Sequence, residues 1–121
     1  MRESRILIVD DDAEVRRVLT QMLVRRGYDV SEASNGKEAL ATLKGESRID
    51  VMVTDLVMPE FEGFETIKAC REVRPSLKIL AISGAFGGEF LAMALRLGAD
   101  STLPKPIRPD VFLQTVQQLM N

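Results

Sequence analysis

Short apolar runs alternate with amphipathic stretches along the whole chain. Residues 6–9, 51–53 and 79–82 are continuously apolar and are bounded by polar residues. Runs of this length indicate strands that are buried on both faces of a sheet. Two other candidate strands differ, because 28–33 is largely polar and 101–103 is short. Strands of that kind suit the edges of a sheet.

Helical periodicity fills the segments between these strands. The clearest helix follows the first strand, where apolar residues recur at helical spacing, namely Val15, Val18, Leu19, Met22 and Leu23. Asp12 is its predicted N-cap, and Gly27 lies where the helix should end. Further helices are predicted over 36–44 and 64–74, through 90–95 as far as Gly98, and from Pro109 onward.

Five strands alternating with five helices predict an α/β fold of parallel βαβ units. Right-handed crossovers place helices on both faces of the sheet, which gives a three-layer sandwich. With the three apolar strands in the centre, the pattern fits a doubly wound five-stranded parallel sheet of order 2-1-3-4-5, the flavodoxin-like arrangement. The length of 121 residues suits one domain, so we expect a single domain over 1–121 with no output domain in this chain.

Aspartates close two of the apolar runs. Asp10, Asp11 and Asp12 follow the first run, and Asp55 follows the third strand. In the predicted sheet these two strands are neighbours at the topological switch point, where ligands bind outside the carboxyl ends of the strands. Clustered carboxylates need a cation or a proton to be tolerated there. The sequence therefore predicts an acidic pocket.

Composition narrows the functional classes. The 16 basic and 18 acidic residues give a net charge of -2, which offers no electrostatic basis for binding nucleic acid. The chain has no histidine, which excludes imidazole catalysis and His-bearing zinc sites. Cys70 is the only cysteine and is predicted to be a core thiol. No apolar run approaches the roughly 18 to 20 residues of a membrane span, so we expect a cytoplasmic protein.

Four segments together resemble a known family. ILIVDDD, VMVTDLVMPEFEG, AISGA and LPKP, in this order and spacing, are similar to the signature segments of receiver domains in two-component response regulators. The resemblance covers nearly the whole chain. It implies a CheY-like fold and a phosphoprotein that carries an aspartyl phosphate in a two-component or phosphorelay pathway.

The resemblance also implies the site. Asp55 would accept the phosphoryl group, and Mg²⁺ would be bound by Asp11 and Asp55 directly, by Asp10 through water, and by the backbone carbonyl of Val57. Magnesium is a hard ion that prefers oxygen ligands, which this pocket supplies.

Two further side chains complete the implied site. Lys105 would neutralise a phosphoryl oxygen, and Ser83 would donate a hydrogen bond that draws the following loop inward. Gly84 would leave room for this approach, and Met58, Pro59 and Gly63 are interpreted as loop-shaping residues, with glycine permitting a positive φ. A cis Lys105–Pro106 bond is implied by the family. Without the resemblance, each of these residues has an ordinary alternative as a turn, cap or solvated loop residue.

Two features of the sequence depart from the family pattern. Thr102 lies where many receivers carry an aromatic residue whose ring turns inward on activation. Val57 and Ala85, which flank the route of the attacking water in this family, are apolar and cannot orient water by hydrogen bonds. The sequence therefore leaves the switch mechanism and the phosphoryl lifetime open.

The predicted function is that of a signalling domain and not an enzyme, apart from its own phosphorylation and dephosphorylation at Asp55. The donor would be a histidine kinase, a histidine phosphotransfer protein or a small phosphodonor, and the output would be altered binding to a downstream protein. One alternative is a phosphorylation-independent interaction module. Another is a metal-dependent phosphohydrolase of the haloacid dehalogenase type, which would place an aspartate at Val57. The sequence leaves homodimer formation open.

Overall fold

The computed structural model describes residues 4–45, 48–56, 62–84 and 88–121 of the chain. Strands and helices alternate strictly in these segments, as β1 Arg5–Val9, α1 Ala13–Arg25, β2 Asp29–Ala33, α2 Gly36–Lys44, β3 Val51–Asp55, α3 Glu62–Val73, β4 Lys78–Ser83, α4 Gly88–Leu97, β5 Ser101–Pro104 and α5 Pro109–Met120. The five predicted strands and five predicted helices are confirmed. Their ends lie within two residues of the predicted ones, which is the usual uncertainty of element boundaries.

The sheet has the predicted order, β2-β1-β3-β4-β5, and every pair of neighbouring strands is parallel. In the register of β1 and β3, Val9 lies opposite Thr54. The residues that follow them, Asp10 and Asp55, therefore reach the same level at the carboxyl edge of the sheet. This register builds the acidic pocket.

Alternate residues of the central strands belong to two separate hydrophobic cores, one on each face of the sheet. Ile6 and Ile8 pack on one face with α1 and α5, whereas Leu7 and Val9 pack on the other face with α2, α3 and α4. All four are at most 1% exposed. A parallel sheet covered on both faces needs such uninterrupted apolar strands, which is why the sequence pattern identified them.

The ends of α1 follow the predicted chemistry. The Asp12 carboxylate accepts hydrogen bonds from the backbone N–H groups of Glu14 and Val15, at 2.9 and 3.4 Å. Beyond the helix, Gly27 adopts a φ of 89°, a left-handed conformation that glycine tolerates best. The predicted cap and the predicted end of this helix are both confirmed.

The inward faces of two helices are narrower than their apolar patterns suggested. Val18 on α1 and Leu95 on α4 are each about half exposed. Val18 precedes Leu19, and Leu95 follows Ala94; both of these neighbours point into the core. Because neighbouring residues of a helix point about 100° apart, Val18 and Leu95 are turned toward solvent. Among the described residues, no helix combines the length and the apolar character that a membrane span requires.

Cys70 lies in the core formed with α2, α3 and α4 and is fully buried. Burial raises the pKa of its thiol to about 11. The thiolate is therefore disfavoured, and the prediction of a core thiol is confirmed.

Candidate functional site

Three carboxylates meet at the carboxyl edge of the sheet. Asp10 directly follows β1, Asp55 ends β3, and one carboxylate oxygen from each of Asp10, Asp11 and Asp55 lies within 4.8 Å of the others. Asp10 and Asp55 are buried, at 2% and 6% exposure, while Asp11 is exposed. Two carboxylates of the pocket are thus buried, and the third is open to solvent.

The charge on Asp10 is costly at this position. The pKa of its carboxyl is raised to about 6, mainly by burial and also by the nearby charges of Asp55 and Asp11. A hydrogen bond from the Asp12 backbone N–H to Asp10 Oδ1, at 2.9 Å, and the charge of Lys105 act in the opposite direction. A buried acid that resists ionisation is one that a bound cation would stabilise.

Lys105 supplies positive charge from the other side of the pocket. Its Nζ lies 3.3 Å from Asp55 Oδ2 and 3.9 Å from Asp10 Oδ2. Its backbone N–H donates to the carbonyl of Ser83 at 3.0 Å, and the following bond to Pro106 is cis. The side chain therefore crosses the end of β4 to reach the carboxylates.

Gly84 makes this crossing possible. A Cβ at this position would lie 3.0 Å from the Cβ of Lys105 and 3.5 Å from its Cδ. The sequence predicted that Gly84 leaves room at the site, and the group that occupies this room is the stem of Lys105.

Ser83 is the last residue of β4 and is buried, at 2% exposure. Asp55 is paired with Ile82 in the sheet, and the N–H of Leu56 donates to the carbonyl of Ile82 at 3.0 Å. Ser83 is thus placed at the end of the strand beside Asp55, on the side from which Lys105 approaches.

Gly63 packs against the backbone of the strand end that carries Asp55. The predicted reason for this glycine, a positive φ, was wrong. It lies inside α3, and the described glycines with positive φ are Gly27 and Gly98. A Cβ on Gly63 would lie 2.6 Å from the Cα of Leu56 and 2.7 Å from the carbonyl oxygen of Asp55. This glycine is required because a helix packs directly on the backbone of the acidic strand end.

Several predicted residues fall outside the described segments. These are Val57, Met58, Pro59 and Ala85, so the proposed carbonyl ligand and the residues flanking the water route remain predictions. Thr102 is described. It is half-buried in β5, opposite Ala81 of β4.

One residue near the site was not singled out from the sequence. Arg16 on α1 donates from Nη1 to the backbone carbonyl of Asp10, at 2.6 Å. Its only sequence signal is its position on the polar face of an amphipathic helix, which is usually the position of a solvated side chain.

A doubly wound parallel sheet with clustered aspartates and a lysine at its switch point defines the class to which the chain belongs, the CheY-like α/β domains. The family profile described as the response regulator receiver domain matches residues 6–117. The chain therefore belongs to the response regulator receiver domain family.

Relatives of known name agree with this assignment. The chain is 33% identical over 117 residues to the chemotaxis protein CheY of Thermotoga maritima, covering 96% of this chain and 97% of that protein. It is 32% identical over 117 residues to the transcriptional regulatory protein CpxR homolog of Haemophilus influenzae, covering 97% of this chain but 50% of that protein. The structure of a CheY-like receiver domain protein from Methanospirillum hungatei JF-1 superposes with a TM-score of 0.91 at 29% identity, covering 98% and 94% of the two chains.

Proposed function

We propose that this domain accepts a phosphoryl group on Asp55 and thereby changes its binding to a downstream protein. The observation that supports the proposal most strongly is the placement of Asp55. It is buried at a strand end, grouped with Asp10 and Asp11, and 3.3 Å from the ammonium group of Lys105. A nucleophilic carboxylate, a metal-binding group and a fixed cation are the components that phosphoryl transfer requires.

Magnesium fits the donor set of the pocket. The three clustered groups are all carboxylates, and the pKa of Asp10 is raised by burial and, to a smaller extent, by the negative charges of Asp55 and Asp11. Asp10, Asp11 and Asp55 would hold the ion, together with the backbone carbonyl of Val57, a residue outside the described segments. When bound, Mg²⁺ would supply charge neutralisation for phosphoryl oxygens.

The chemical step uses the chain's own residues as follows. A carboxylate oxygen of Asp55 attacks the phosphorus of the donor, a new P–O bond forms, and the bond from phosphorus to the donor breaks with its electron pair leaving on the donor. Lys105 neutralises charge on the phosphoryl oxygens, and the Ser83 hydroxyl donates a hydrogen bond to one of them. Attack by water on phosphorus later releases inorganic phosphate and restores the Asp55 carboxylate.

The phosphoryl donor comes from outside the chain. The sequence contains no histidine, so the domain cannot form a phosphohistidine of its own. A histidine kinase or a histidine phosphotransfer protein is the proposed partner, and a small acyl phosphate would serve as a substitute in vitro. We further propose that residues 1–121 form one receiver domain.

Intact-mass measurement with acetyl phosphate and Mg²⁺ tests the proposal. The parent protein should gain the mass of one phosphoryl group, and Asp55→Asn should gain none. Asp11→Ala should lose both Mg²⁺ binding and labelling, whereas Asp12→Ala should keep both and lose a helix cap worth about 1 kcal/mol. Labelling of Asp55→Asn on Asp10 or Asp11 would contradict the assignment.

Beryllofluoride separates the proposed function from its alternatives. This phosphoryl mimic should bind the parent protein tightly with Mg²⁺. If neither labelling nor mimic binding occurred, a phosphorylation-independent interaction module would be favoured. Steady turnover of phosphoesters would favour a phosphohydrolase.

The proposed switch runs through Ser83. Because its carbonyl already accepts the Lys105 N–H, movement of either residue toward a phosphoryl group should involve both. Ser83→Ala should still be phosphorylated but should show smaller beryllofluoride-induced amide shifts in α4. Thr102→Ala should change partner binding only modestly, because threonine is too small to fill an inner cavity as an aromatic ring would. Equal shifts in Ser83→Ala and the parent protein would exclude this route.

A further inference from the structure

The side chain of Arg16 connects the acidic pocket to the edge of the sheet. Its Nη1 donates to the Asp10 carbonyl at 2.6 Å, and its Nε lies 3.2 Å from Glu32 Oε1 on β2. The side chain is only 18% exposed. A planar guanidinium that makes two directed bonds at once holds both partners in a fixed relative position.

The carbonyl that Arg16 contacts belongs to the peptide unit between Asp10 and Asp11. Because a peptide unit is planar, fixing its carbonyl oxygen also fixes the direction in which the backbone enters Asp11. On the other side of Asp10, its N–H donates to the Ala33 carbonyl at 3.2 Å. The hydrogen bonds on both sides of Asp10 therefore tie this strand end to β2.

Asp11 depends on its backbone for its position. Its side chain is exposed and extends the acidic cluster toward solvent, beyond the buried carboxylates of Asp10 and Asp55. An exposed carboxylate that must meet a cation at a defined point gains from a rigid backbone, because less conformational entropy is then lost on binding.

We propose that Arg16 is a positioning residue for Mg²⁺ binding, which orients the Asp10–Asp11 peptide so that both carboxylates face one ion. This inference rests on the proposed metal site. The hydrogen bonds of Arg16 go to the Asp10 backbone carbonyl and to the Glu32 carboxylate, so its effect on the metal site passes through the backbone.

The charge of Arg16 and its positioning contact have opposite effects on the affinity for Mg²⁺. A guanidinium near the pocket repels Mg²⁺, so loss of its charge alone would tighten metal binding, although pairing with Glu32 weakens this repulsion. Loss of the positioning contact would weaken binding, and loss of hydrogen-bonded partners behind metal ligands typically costs about 10- to 100-fold in affinity. The sign of the change therefore distinguishes the two roles.

Calorimetric titration with Mg²⁺ alone, without any phosphodonor, tests the inference. Arg16→Ala should bind Mg²⁺ about tenfold more weakly than the parent protein. Arg16→Lys, which keeps the charge but lacks the planar fork, should fall between the two. Arg17→Ala is the matched control, since Arg17 is an exposed arginine on the same helix, and it should bind as the parent does or slightly more tightly.

Two further measurements separate positioning from general stability. The first is the melting temperature of every variant, so that all titrations are made far below it. The second is the amide chemical shifts of Asp11 and Asp12, compared between Arg16→Ala and the parent protein without metal. The shifts should change in Arg16→Ala while the rest of the sheet stays unaltered. Parental or tighter Mg²⁺ binding by Arg16→Ala, or a loss explained fully by an unfolded fraction, would overturn the inference. A parent protein that binds no Mg²⁺ would instead overturn the metal site and this inference with it.

Discussion

Asp10→Asn should stabilise the metal-free protein at neutral pH. The Asp10 carboxyl is buried beside Asp55 and Asp11, and its pKa is raised from 3.8 to about 6. Ionisation therefore costs more in the folded chain than in the unfolded chain. Asparagine has nearly the same shape, and its carbonyl oxygen can still accept the hydrogen bond from the Asp12 N–H.

The magnitude follows from linkage between protonation and folding. One pKa unit corresponds to about 1.4 kcal/mol, so the gap between 3.8 and about 6 corresponds to a cost of about 3 kcal/mol once both states are ionised. A group with a raised folded-state pKa favours folding below its unfolded pKa and loses that contribution as the pH rises through its folded pKa. The advantage of Asp10→Asn should thus grow from about 1 kcal/mol near pH 4.5 to about 3 kcal/mol near pH 7.5.

Urea unfolding in the presence of a chelator measures this difference at both pH values. Asp12→Asn is the control, because this exposed side chain keeps its capping oxygen and should change stability little at either pH. Adding Mg²⁺ should stabilise the parent protein more than Asp10→Asn and so narrow the gap. An equal or lower stability of Asp10→Asn at neutral pH, or a gain independent of pH, would show that ionisation of Asp10 is not the cost inferred here.

Three further predictions concern packing and hydrogen bonding within the domain. Gly63→Ala should lower the free energy of unfolding by about 1–3 kcal/mol, because its Cβ would lie 2.6 Å from the Cα of Leu56, whereas Gly88→Ala, with open space around it, should be neutral in the same urea titration. The Cys70 thiol, with its pKa raised to about 11, should react with a disulfide reagent only as fast as the protein unfolds, and rapid labelling of the native protein would contradict its burial. Arg71 donates to three backbone carbonyls and pairs with an aspartate at 2.7 Å, so Arg71→Ala should cost about 2–3 kcal/mol and Arg71→Lys should recover only part of it.

The strand order could be predicted because burial on both faces leaves a direct mark on the sequence. Uninterrupted apolar runs are required only in central parallel strands, and 6–9, 51–53 and 79–82 were the runs of that kind. The acidic pocket followed from the same inference, since it needs only that two such strands be neighbours. The close approach of Asp10 and Asp55 also depends on the register that brings Val9 opposite Thr54, and no residue pattern specifies that register.

The errors in the sequence-based predictions have a common cause, because a sequence pattern does not contain the three-dimensional contacts of a residue. Helical periodicity identifies the centre of a buried face but not its width, which is why Val18 was assigned to the apolar face of its helix although it is about half exposed. A glycine in the sequence does not reveal whether it serves a positive φ or a close approach, so Gly63 received the wrong explanation. Arg16 was missed because its partner is a backbone carbonyl, and every residue has one.

The charges of the pocket explain why phosphorylation of this strand end would move its surroundings. Three carboxylates and the ammonium of Lys105 leave the pocket with two uncompensated negative charges, which one divalent cation would balance. The proposed phosphorylation would replace the single charge of Asp55 by the larger charge of a phosphoryl group that projects further from the strand. Lys105, now held 3.3 Å from Asp55, would have to follow that charge outward. Because the Lys105 backbone is bonded to the Ser83 carbonyl, this movement would reach the end of β4, and from there the segment that leads to α4.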